Sequence, residues 1–290
     1  MMSSEQEILA PRNEHLMQCM ELWGGVSETR TSVSMTGLDG YVYSRPYEAA
    51  KNGGDVYYFS SCASGRISRI LLADVAGHGL AVSDAARLLR SIMRKKVNVI
   101  GQTSLMTALN KEFCQVTSDF ATAIVITYFE PSGWLTLSAA GHPPPLVFRH
   151  STGEWTAFGS DGATKMQAGL PLGVTENSDY TPQTIDFTTD DMLLLYTDAF
   201  FEARDAEGNL LQTQGLLSLL NTAPEMLLCD TVDWLVSEVQ KLSPDNLHDD
   251  DATAILLRPN GNGIPMKNNL MAPLRMIRGV KDVPAGERPE

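Results

Sequence analysis

Short apolar runs along the chain predict an ordered body of mixed strands and helices between Leu38 and Arg258. Runs rich in β-branched and aromatic residues, bounded by turn-forming or charged residues, predict at least seven strands. These are Ile67–Val75, Phe120–Phe129, Trp134–Ala140, Leu146–Arg149, Thr184–Phe187, Met192–Thr197 and Ala252–Arg258. Apolar residues at helical spacing predict helices over 80–96, 103–116, 212–220 and 224–241.

The order of these elements indicates the fold class. Strand hairpins follow one another, and pairs of helices separate the groups of strands. A doubly wound parallel sheet would need strands and helices in regular alternation, which the sequence lacks. We therefore predict an α+β protein built from packed antiparallel sheets.

The helix predicted over 80–96 has an apolar face and a basic face. Arg87, Arg90 and Arg94 lie about 200° around the helix from its apolar residues. Two interpretations stay open, because these arginines form either a solvated face or a local basic patch suited to an acidic partner.

The two ends of the chain differ in composition from the body. Residues 1–35 are polar, with apolar residues at helix-like spacing between Leu16 and Trp23, so we predict an extension with a short helix. Residues 259–290 contain five prolines and four glycines, which predicts a mobile tail. We expect a single domain over 36–258 between these two segments.

Composition excludes several classes of protein. The 290 residues carry a net charge of −13, which disfavours binding to nucleic acid or to an anionic membrane. No apolar run approaches the ~18 residues of a membrane helix, and no signal peptide is recognisable, so we expect a cytoplasmic protein. The four cysteines (Cys19, Cys62, Cys114 and Cys229) lack metal-binding spacing, which predicts free thiols.

Aspartates recur where predicted buried strands meet loops. A carboxylate stands at such a junction in four places, which are Asp55, Asp74, Asp198 and the run Asp249–Asp251. A single aspartate of this kind is ordinary, because turns favour aspartate. A buried carboxylate is costly unless it is paired or bound to a metal, and no basic residue stands beside these positions.

The kind and number of these side chains indicate a site for hard divalent cations. Oxygen ligands favour Mg²⁺ or Mn²⁺ over zinc or copper, and two divalent ions would balance four carboxylates. Pairs of such ions typically activate a water for phosphoester hydrolysis. The chain has no P-loop and no nucleophile elbow, and the haloacid-dehalogenase pattern D-x-D-x-T at Asp249–Thr253 precedes its strand instead of following it.

Six short motifs occur in a characteristic order. They are Gly53–Tyr58 (GGDVYY), Asp74–Gly79 (DVAGHG), Ala140–Pro145 (AGHPPP), Gly169–Gly173 (GLPLG), Tyr196–Asp198 (YTD) with Glu202–Arg204 (EAR), and Asp250–Thr253 (DDAT). Together they resemble the PPM-type (type 2C-like) serine/threonine phosphatases. Within these, they are similar to the bacterial branch that includes the stage II sporulation phosphatase and the stress-response sigma-factor regulators. The resemblance extends from Thr36 to Arg258.

The resemblance implies a β-sandwich of two antiparallel sheets flanked by helices, with two divalent cations, Mn²⁺ or Mg²⁺, at one edge. Asp74 matches the aspartate that bridges both ions, and the carbonyl of Val75 adds a ligand. Asp198 and Asp250 match the carboxylates of the second ion. Asp55 matches an acidic residue that binds a metal or orients its water.

The same resemblance assigns roles to three further residues. Asp251 is the alternative ligand beside Asp250. His78 is either a general acid or a residue whose hydrogen bond stabilises its loop. We expect His142 to be structural, because its Gly-His-Pro turn lies between two strands.

Two positions depart from the family pattern. Tyr58 stands where many relatives carry a second aspartate, and Ala199 stands where relatives usually have glycine. Neither change deletes one of the four main carboxylates. We therefore expect activity, with metal binding that is weaker or dependent on conditions.

The activity implied by the resemblance is hydrolysis of a phosphoserine or phosphothreonine monoester on a protein. In the bacterial branch the substrate is commonly an anti-sigma-factor antagonist of a partner-switching pathway. We expect regulation through a partner or homodimer, because residues 1–35 are too few for a sensor domain. Two alternatives stay open: a weak or inactive module that docks a phosphoprotein without turnover, and a phosphatase for small molecules, which the acidic surface disfavours.

Overall fold

The fold consists of two seven-stranded sheets packed face to face, with helices on both outer faces. The computed structural model describes residues 13–50, 52–77, 82–96, 98–160 and 167–285. Sheet A contains, in spatial order and numbered along the chain, β1 (Asn13–Leu16), β3 (Thr29–Met35), β4 (Leu38–Arg45), β13 (Ala252–Pro259), β12 (Met192–Tyr196), β9 (Leu146–Arg149) and β10 (Glu154–Ala157). Sheet B contains β11 (Gln183–Asp186), β8 (Trp134–Ala140), β7 (Ala121–Phe129), β6 (Ile67–Val75), β5 (Asp55–Ser61), β2 (Glu21–Gly25) and β14 (Lys281–Pro284).

The predicted sandwich is confirmed, with one difference at each sheet edge. All pairings are antiparallel except β1 with β3 and β14 with β2, which are parallel. Both sheets are therefore mixed. Each parallel strand lies at the edge of its sheet and comes from a terminal segment of the chain.

Helices cover the outer face of each sheet. Five helices of the described residues do so: α1 (Ser83–Lys96), α2 (Gln102–Val116), α3 (Asp198–Phe201), α4 (Gln212–Leu220) and α5 (Leu228–Leu242). The first two pack on sheet B, and α3, α4 and α5 pack on sheet A. The helix α6 (Met266–Arg278) has no buried residue.

The central strands read as continuous apolar runs because both of their faces are buried. In β5, Tyr57 and Phe59 point into the core between the sheets, whereas Val56 and Tyr58 point towards α1 and α2. Trp23 of β2 packs beside Tyr57 and Phe59, with ring centroids 5.9 and 5.8 Å apart. The inter-sheet core thus extends to the terminal strands.

The N-terminal segment contains strands where a short helix was predicted. Residues Asn13–Leu16, Glu21–Gly25 and Thr29–Met35 join both sheets, and residues 1–12 lie outside the described residues. The helical prediction is wrong over these strands because Leu22 and Trp23 are buried in different cores, one on each face of sheet B. A segment buried on both faces has no alternation of polar and apolar residues by which sequence reveals a strand.

The described part of the C-terminal segment contains one helix, α6, and one strand, β14. Val283 of β14 is buried in the core between the sheets. Asp282 accepts a hydrogen bond from Arg90 Nη2 at 2.8 Å and lies 3.3 Å from Arg94 Nε. The structure therefore places β14 in sheet B, where two of the three arginines on α1 hold it, and the mobility of the tail stays a prediction. The expected boundaries at 35 and 259 do not separate the terminal strands from the sheets.

Two simpler expectations also meet the structure. The four cysteines are free, as predicted. None of the helices within the described ranges is both long enough and apolar enough to cross a bilayer.

Gly24 supplies a test of the position of β2. Its φ is +150°, and a Cβ atom there would lie 2.6 Å from Tyr58 Cα. We expect Gly24→Ala to lower the free energy of unfolding by about 1–3 kcal/mol, because the strand must move away from β5. Urea unfolding measures the loss, with Gly263→Ala as the control, because a Cβ at Gly263 would meet nothing within 4 Å. Equal stability of both variants would contradict the placement of β2.

Candidate functional site

The predicted carboxylates come from adjacent ends of the two sheets. Asp55 begins β5 and is the register partner of Asp74, the second-last residue of β6. In sheet A, Asp198 follows β12 as the first residue of α3, and Asp250 precedes β13. Because β12 and β13 are antiparallel neighbours, the last residue of β12 and the first residue of β13 lie at the same end of sheet A.

Asp251 connects the two sheets through the backbone. Its Oδ1 accepts a hydrogen bond from Tyr47 N, and its Oδ2 accepts one from Gly54 N, both at 2.7 Å. A Cβ at Gly53 would lie 2.6 Å from the carboxyl carbon of Asp251, so only glycine fits there. Both oxygens of Asp251 thus hold the loop before β5, whereas Asp250 is half-buried. This arrangement favours Asp250 over Asp251 as a metal ligand.

Asp55 has one oxygen held by hydroxyls and one oxygen without a partner. Thr197 Oγ1 donates to Asp55 Oδ2 at 3.0 Å and itself accepts from Thr253 N at 2.9 Å. Within the described residues, Asp55 Oδ1 is buried and has no hydrogen-bond partner. Burial raises the pKa of Asp55 well above its ordinary value, the charge of Asp74 raises it further, and the Thr253 hydroxyl acts in the opposite direction.

Asp74 and Asp198 repel each other's ionised forms. Burial raises the pKa of Asp74 to about 9, and the charges of Asp198 and Asp250 add to the shift. Burial also raises the pKa of Asp198, followed by the charge of Glu202. The nearness of the two carboxyl groups favours a proton on one of them. A nearby cation would stabilise the ionised forms of these carboxylates.

The predicted metal ligands do not all lie close enough to each other to bind one ion as they stand. In the described parts of the chain, no three Asp, Glu, His or Cys side chains form a ready-made metal cluster. The backbone of Val75 lies beside Gly54, with Val75 N donating to Gly54 O at 3.3 Å. His78 lies outside the described residues, so its role stays a prediction.

His142 is a core residue at the same end of sheet B. It is buried, and its Nδ1 lies 2.9 Å from Thr122 Oγ1, the register neighbour of Asp74. Burial lowers the pKa of His142 to about 3, so the ring is neutral at physiological pH. These observations agree with the structural role expected from the sequence.

Neither departure from the family pattern disturbs the carboxylates. The side chain of Tyr58 is buried in the core between sheet B and α1, and this burial raises its pKa to about 12. Ala199 lies inside α3 and is absent from the positions of positive φ, so glycine is not required there. The carboxyl-bearing backbone is thus held as regular secondary structure.

The sequence analysis missed the hydroxyl groups behind Asp55. Thr253 Oγ1 donates to Ser44 Oγ at 2.9 Å, and Thr197 lies between Thr253 and Asp55. Thr197 and Thr253 are fully buried. Thr197 stands directly before Asp198 in the sequence and could have indicated a hydroxyl at the site. Threonine is common in strands, however, so its presence there does not by itself predict such a role.

Comparison with known proteins identifies the family. The family model of stage II sporulation protein E (SpoIIE) matches residues 64–260, more than half of the chain. The chain belongs to the SpoIIE family. The matched range of this SpoIIE-family chain contains Asp74, Asp198 and Asp250, and Asp55 precedes it. The predicted sporulation-phosphatase branch is confirmed.

Individual relatives agree with this family. The SpoIIE-family chain is 27% identical over 221 residues to phosphoserine phosphatase RsbU of Bacillus subtilis (strain 168). The alignment covers 72% of this chain, which spans 60% of the length of that curated relative.

Solved structures agree on the fold. The RsbU and RsbW domains of Rv1364c from Mycobacterium tuberculosis give a TM-score of 0.63 at 21% identity, covering 89% of this chain and 70% of that one. The catalytic domain of the serine threonine protein phosphatase PstP, in complex with two manganese ions, gives a TM-score of 0.53 at 18% identity. The match covers 76% of this chain and 97% of that one. At these identities the likeness shows the two-sheet fold of this SpoIIE-family chain.

The shifted pKa of Asp74 predicts how the metal-free protein responds to pH. Its pKa is about 9 in the folded state against an ordinary value of 3.8. A raised folded pKa contributes stability that is present at low pH and lost as pH rises through the folded value. In a chelator, the free energy of unfolding should therefore fall between about pH 5 and about pH 8.5.

The variant Asp74→Asn should flatten this fall, because the amide carries no charge at any of these pH values. Urea unfolding in EDTA across the range measures it. Asp186→Asn removes an exposed carboxylate from β11 and should keep the wild-type slope. Parallel profiles for wild type and Asp74→Asn would contradict the repulsion described at this site.

Proposed function

We propose that this chain is a metal-dependent protein serine/threonine phosphatase that hydrolyses a phosphoserine or phosphothreonine monoester. The observation that carries the proposal is that Asp55 and Asp74 of sheet B lie at the same end of the sandwich as Asp198 and Asp250, where the charges of Asp198 and Asp250 help to raise the pKa of Asp74. These side chains are the ones expected from the phosphatase resemblance. Membership of the SpoIIE family, and a relative named as a phosphoserine phosphatase, support the same activity.

The residues at this edge fit a pair of divalent cations. Asp55 Oδ1 is a buried oxygen without a donor, and the charges that raise the pKa of Asp74 come from other aspartates. Hard oxygen ligands suit Mn²⁺ or Mg²⁺, and a fold neighbour was solved with two manganese ions. We infer that Asp55, Asp74, the Val75 carbonyl, Asp198 and Asp250 would hold the ions. When bound, such ions supply Lewis-acid stabilisation of the phosphoryl oxygens and a water of lowered pKa.

The protein's own groups fix the geometry of this site. Thr197 fixes one oxygen of Asp55, so the other is left to face a ligand. Asp251 fixes the backbone of Gly54, and therefore the start of β5. Because these contacts come from fully buried side chains, they can orient the carboxylates before any substrate binds. In this proposal His78 donates a proton to the leaving serine oxygen.

We further infer the kind of substrate and setting. The relative RsbU, and a solved protein that contains RsbU and RsbW domains, support a phosphorylated anti-sigma-factor antagonist in a cytoplasmic partner-switching pathway. A regulatory partner or a homodimer would supply the activating signal. The alternative of a docking module rested on Tyr58 and Ala199. It is less favoured, because neither residue displaces any of the carboxylates.

Hydrolysis of p-nitrophenyl phosphate with and without Mn²⁺ tests the activity. We expect metal-dependent turnover, and Asp74→Asn should lower kcat at least about hundredfold, because it removes a carboxylate that would hold the ions. Asp186→Asn, on the exposed edge strand β11, should keep wild-type turnover. Turnover that is independent of metal, or unchanged in Asp74→Asn, would overturn the proposal. Binding of a phosphoprotein without any phosphate release would favour the docking module.

Thr197 offers a second test that does not depend on turnover. Residues that orient metal ligands typically contribute 10–100-fold to metal affinity. We expect Thr197→Val to weaken Mn²⁺ binding by about tenfold in isothermal titration calorimetry, whereas Thr197→Ser keeps the hydroxyl and the affinity. Thr184→Val removes an exposed hydroxyl that contacts Thr136 and serves as the control. Unchanged affinity in Thr197→Val would show that Asp55 does not need this hydroxyl to bind metal.

A further inference from the structure

Four large apolar side chains are exposed on loops and on one helix end at the carboxylate end of sheet B. Val116 ends α2, Phe120 precedes β7, and Leu170 and Val174 belong to the segment before β11. Their exposed fractions are 50%, 49%, 53% and 53%. Apolar groups of this size in one region of a surface often mark a site of interaction with another molecule.

These loops are held rigidly to each other. Ala121 and Leu172 exchange two backbone hydrogen bonds of 2.9 and 2.8 Å. The buried side chain of Asn110 accepts from Gly173 N at 3.0 Å and donates to Thr175 O at 2.7 Å. The apolar side chains therefore stand on a preformed platform, and ordering them costs a partner little.

The platform is continuous with the carboxylate site. Phe120 O accepts a hydrogen bond from Ala76 N at 3.0 Å, two residues after Asp74. In the same register, Ala121 pairs with Val75 and Thr122 pairs with Asp74. If a protein places its phosphoryl group among these carboxylates, the residues next to its phosphorylated side chain would contact Phe120.

The two chain segments that carry Phe120, Leu170 and Val174 bear charges of one sign. Residues 115–120 and 167–179 contain Asp119, Glu176 and Asp179, and they contain no lysine or arginine. A phosphorylated partner is itself anionic where it enters the site, so charge attraction at the platform requires basic groups elsewhere on that partner. Apolar contact supplies affinity, and the acidic rim selects and orients the partner.

We propose that Val116, Phe120, Leu170 and Val174 form the docking surface for the phosphoprotein substrate. The substrate then presents its phosphoserine beside an apolar surface patch rimmed by basic residues. This inference rests on the proposed function, and it adds to that function the chemistry by which the substrate is recognised.

Two fluorescein-labelled phosphoserine peptides of equal length test the docking surface. Both carry terminal arginines; one has leucine and valine beside the phosphoserine, and the other has serine at those positions. Anisotropy in EDTA measures binding without turnover, and phosphate release with Mn²⁺ measures kcat/KM. We expect the wild-type chain to prefer the apolar peptide about tenfold in both measurements.

The double variant Phe120→Ser/Val174→Ser should lose this preference. Trp134→Ser is the matched control, because Trp134 is 54% exposed and lies at the opposite end of sheet B. It should keep both the preference and the turnover. Thermal unfolding confirms that each variant is folded, and the exposed positions make a folding defect unexpected.

The outcomes separate the two proposals. Phosphate release without a preference between the peptides overturns the docking surface and leaves the phosphatase intact. A preference that survives in the double variant also overturns the docking surface. A preference in binding that depends on Phe120 and Val174, without phosphate release, supports the docking surface and contradicts the turnover that we expect from the chain without an activating partner.

Discussion

Repulsion among buried carboxylates governs the end of the molecule where the two sheets meet. Asp55 and Asp74 come from neighbouring strands of one sheet, and Asp198 comes from the other, so folding itself brings them together. Without a cation, burial and then the charges of the neighbouring aspartates favour the protonated form of Asp74 and raise its pKa to about 9. A pair of cations would offset the same repulsion and let every carboxylate ionise. The stability of this end of the sandwich and the metal affinity that we propose for it therefore have a common origin.

The rigid parts of the structure lie directly behind this repulsion. Asp251 fastens the loop before β5 to β13, and Thr197 fastens Asp55 to the end of β12. Each contact connects one sheet to the other, so the two halves of the site cannot separate without losing buried hydrogen bonds. Loss of such bonds leaves polar groups unsatisfied, which costs about 1–3 kcal/mol for each group. Buried hydrogen bonds thus hold the two sheets together at the end where the carboxylates repel each other.

The aspartates could be selected from the sequence because apolar runs mark β6, β12 and β13, and a carboxylate at either end of such a run is conspicuous. The sequence could not predict the Thr197 hydroxyl, because threonine is common in strands and its partner Asp55 lies 142 positions away. It also failed for β2, where Leu22 and Trp23 are buried on opposite faces and mimic helical spacing. In β14 the order comes from pairing with β2 and from Arg90, which local composition does not reveal.

The pairing of β14 with β2 has a consequence for the order of folding. Lys281 is the register partner of Glu21, so the edge of sheet B joins residues from opposite ends of the chain. During synthesis, β2 can pair with β5 early, but its other edge stays uncovered until the residues of β14 leave the ribosome. Contacts of such high sequence separation form slowly, and an open strand edge invites pairing with other chains. The nascent chain is therefore most prone to association in the interval before β14 completes the sheet.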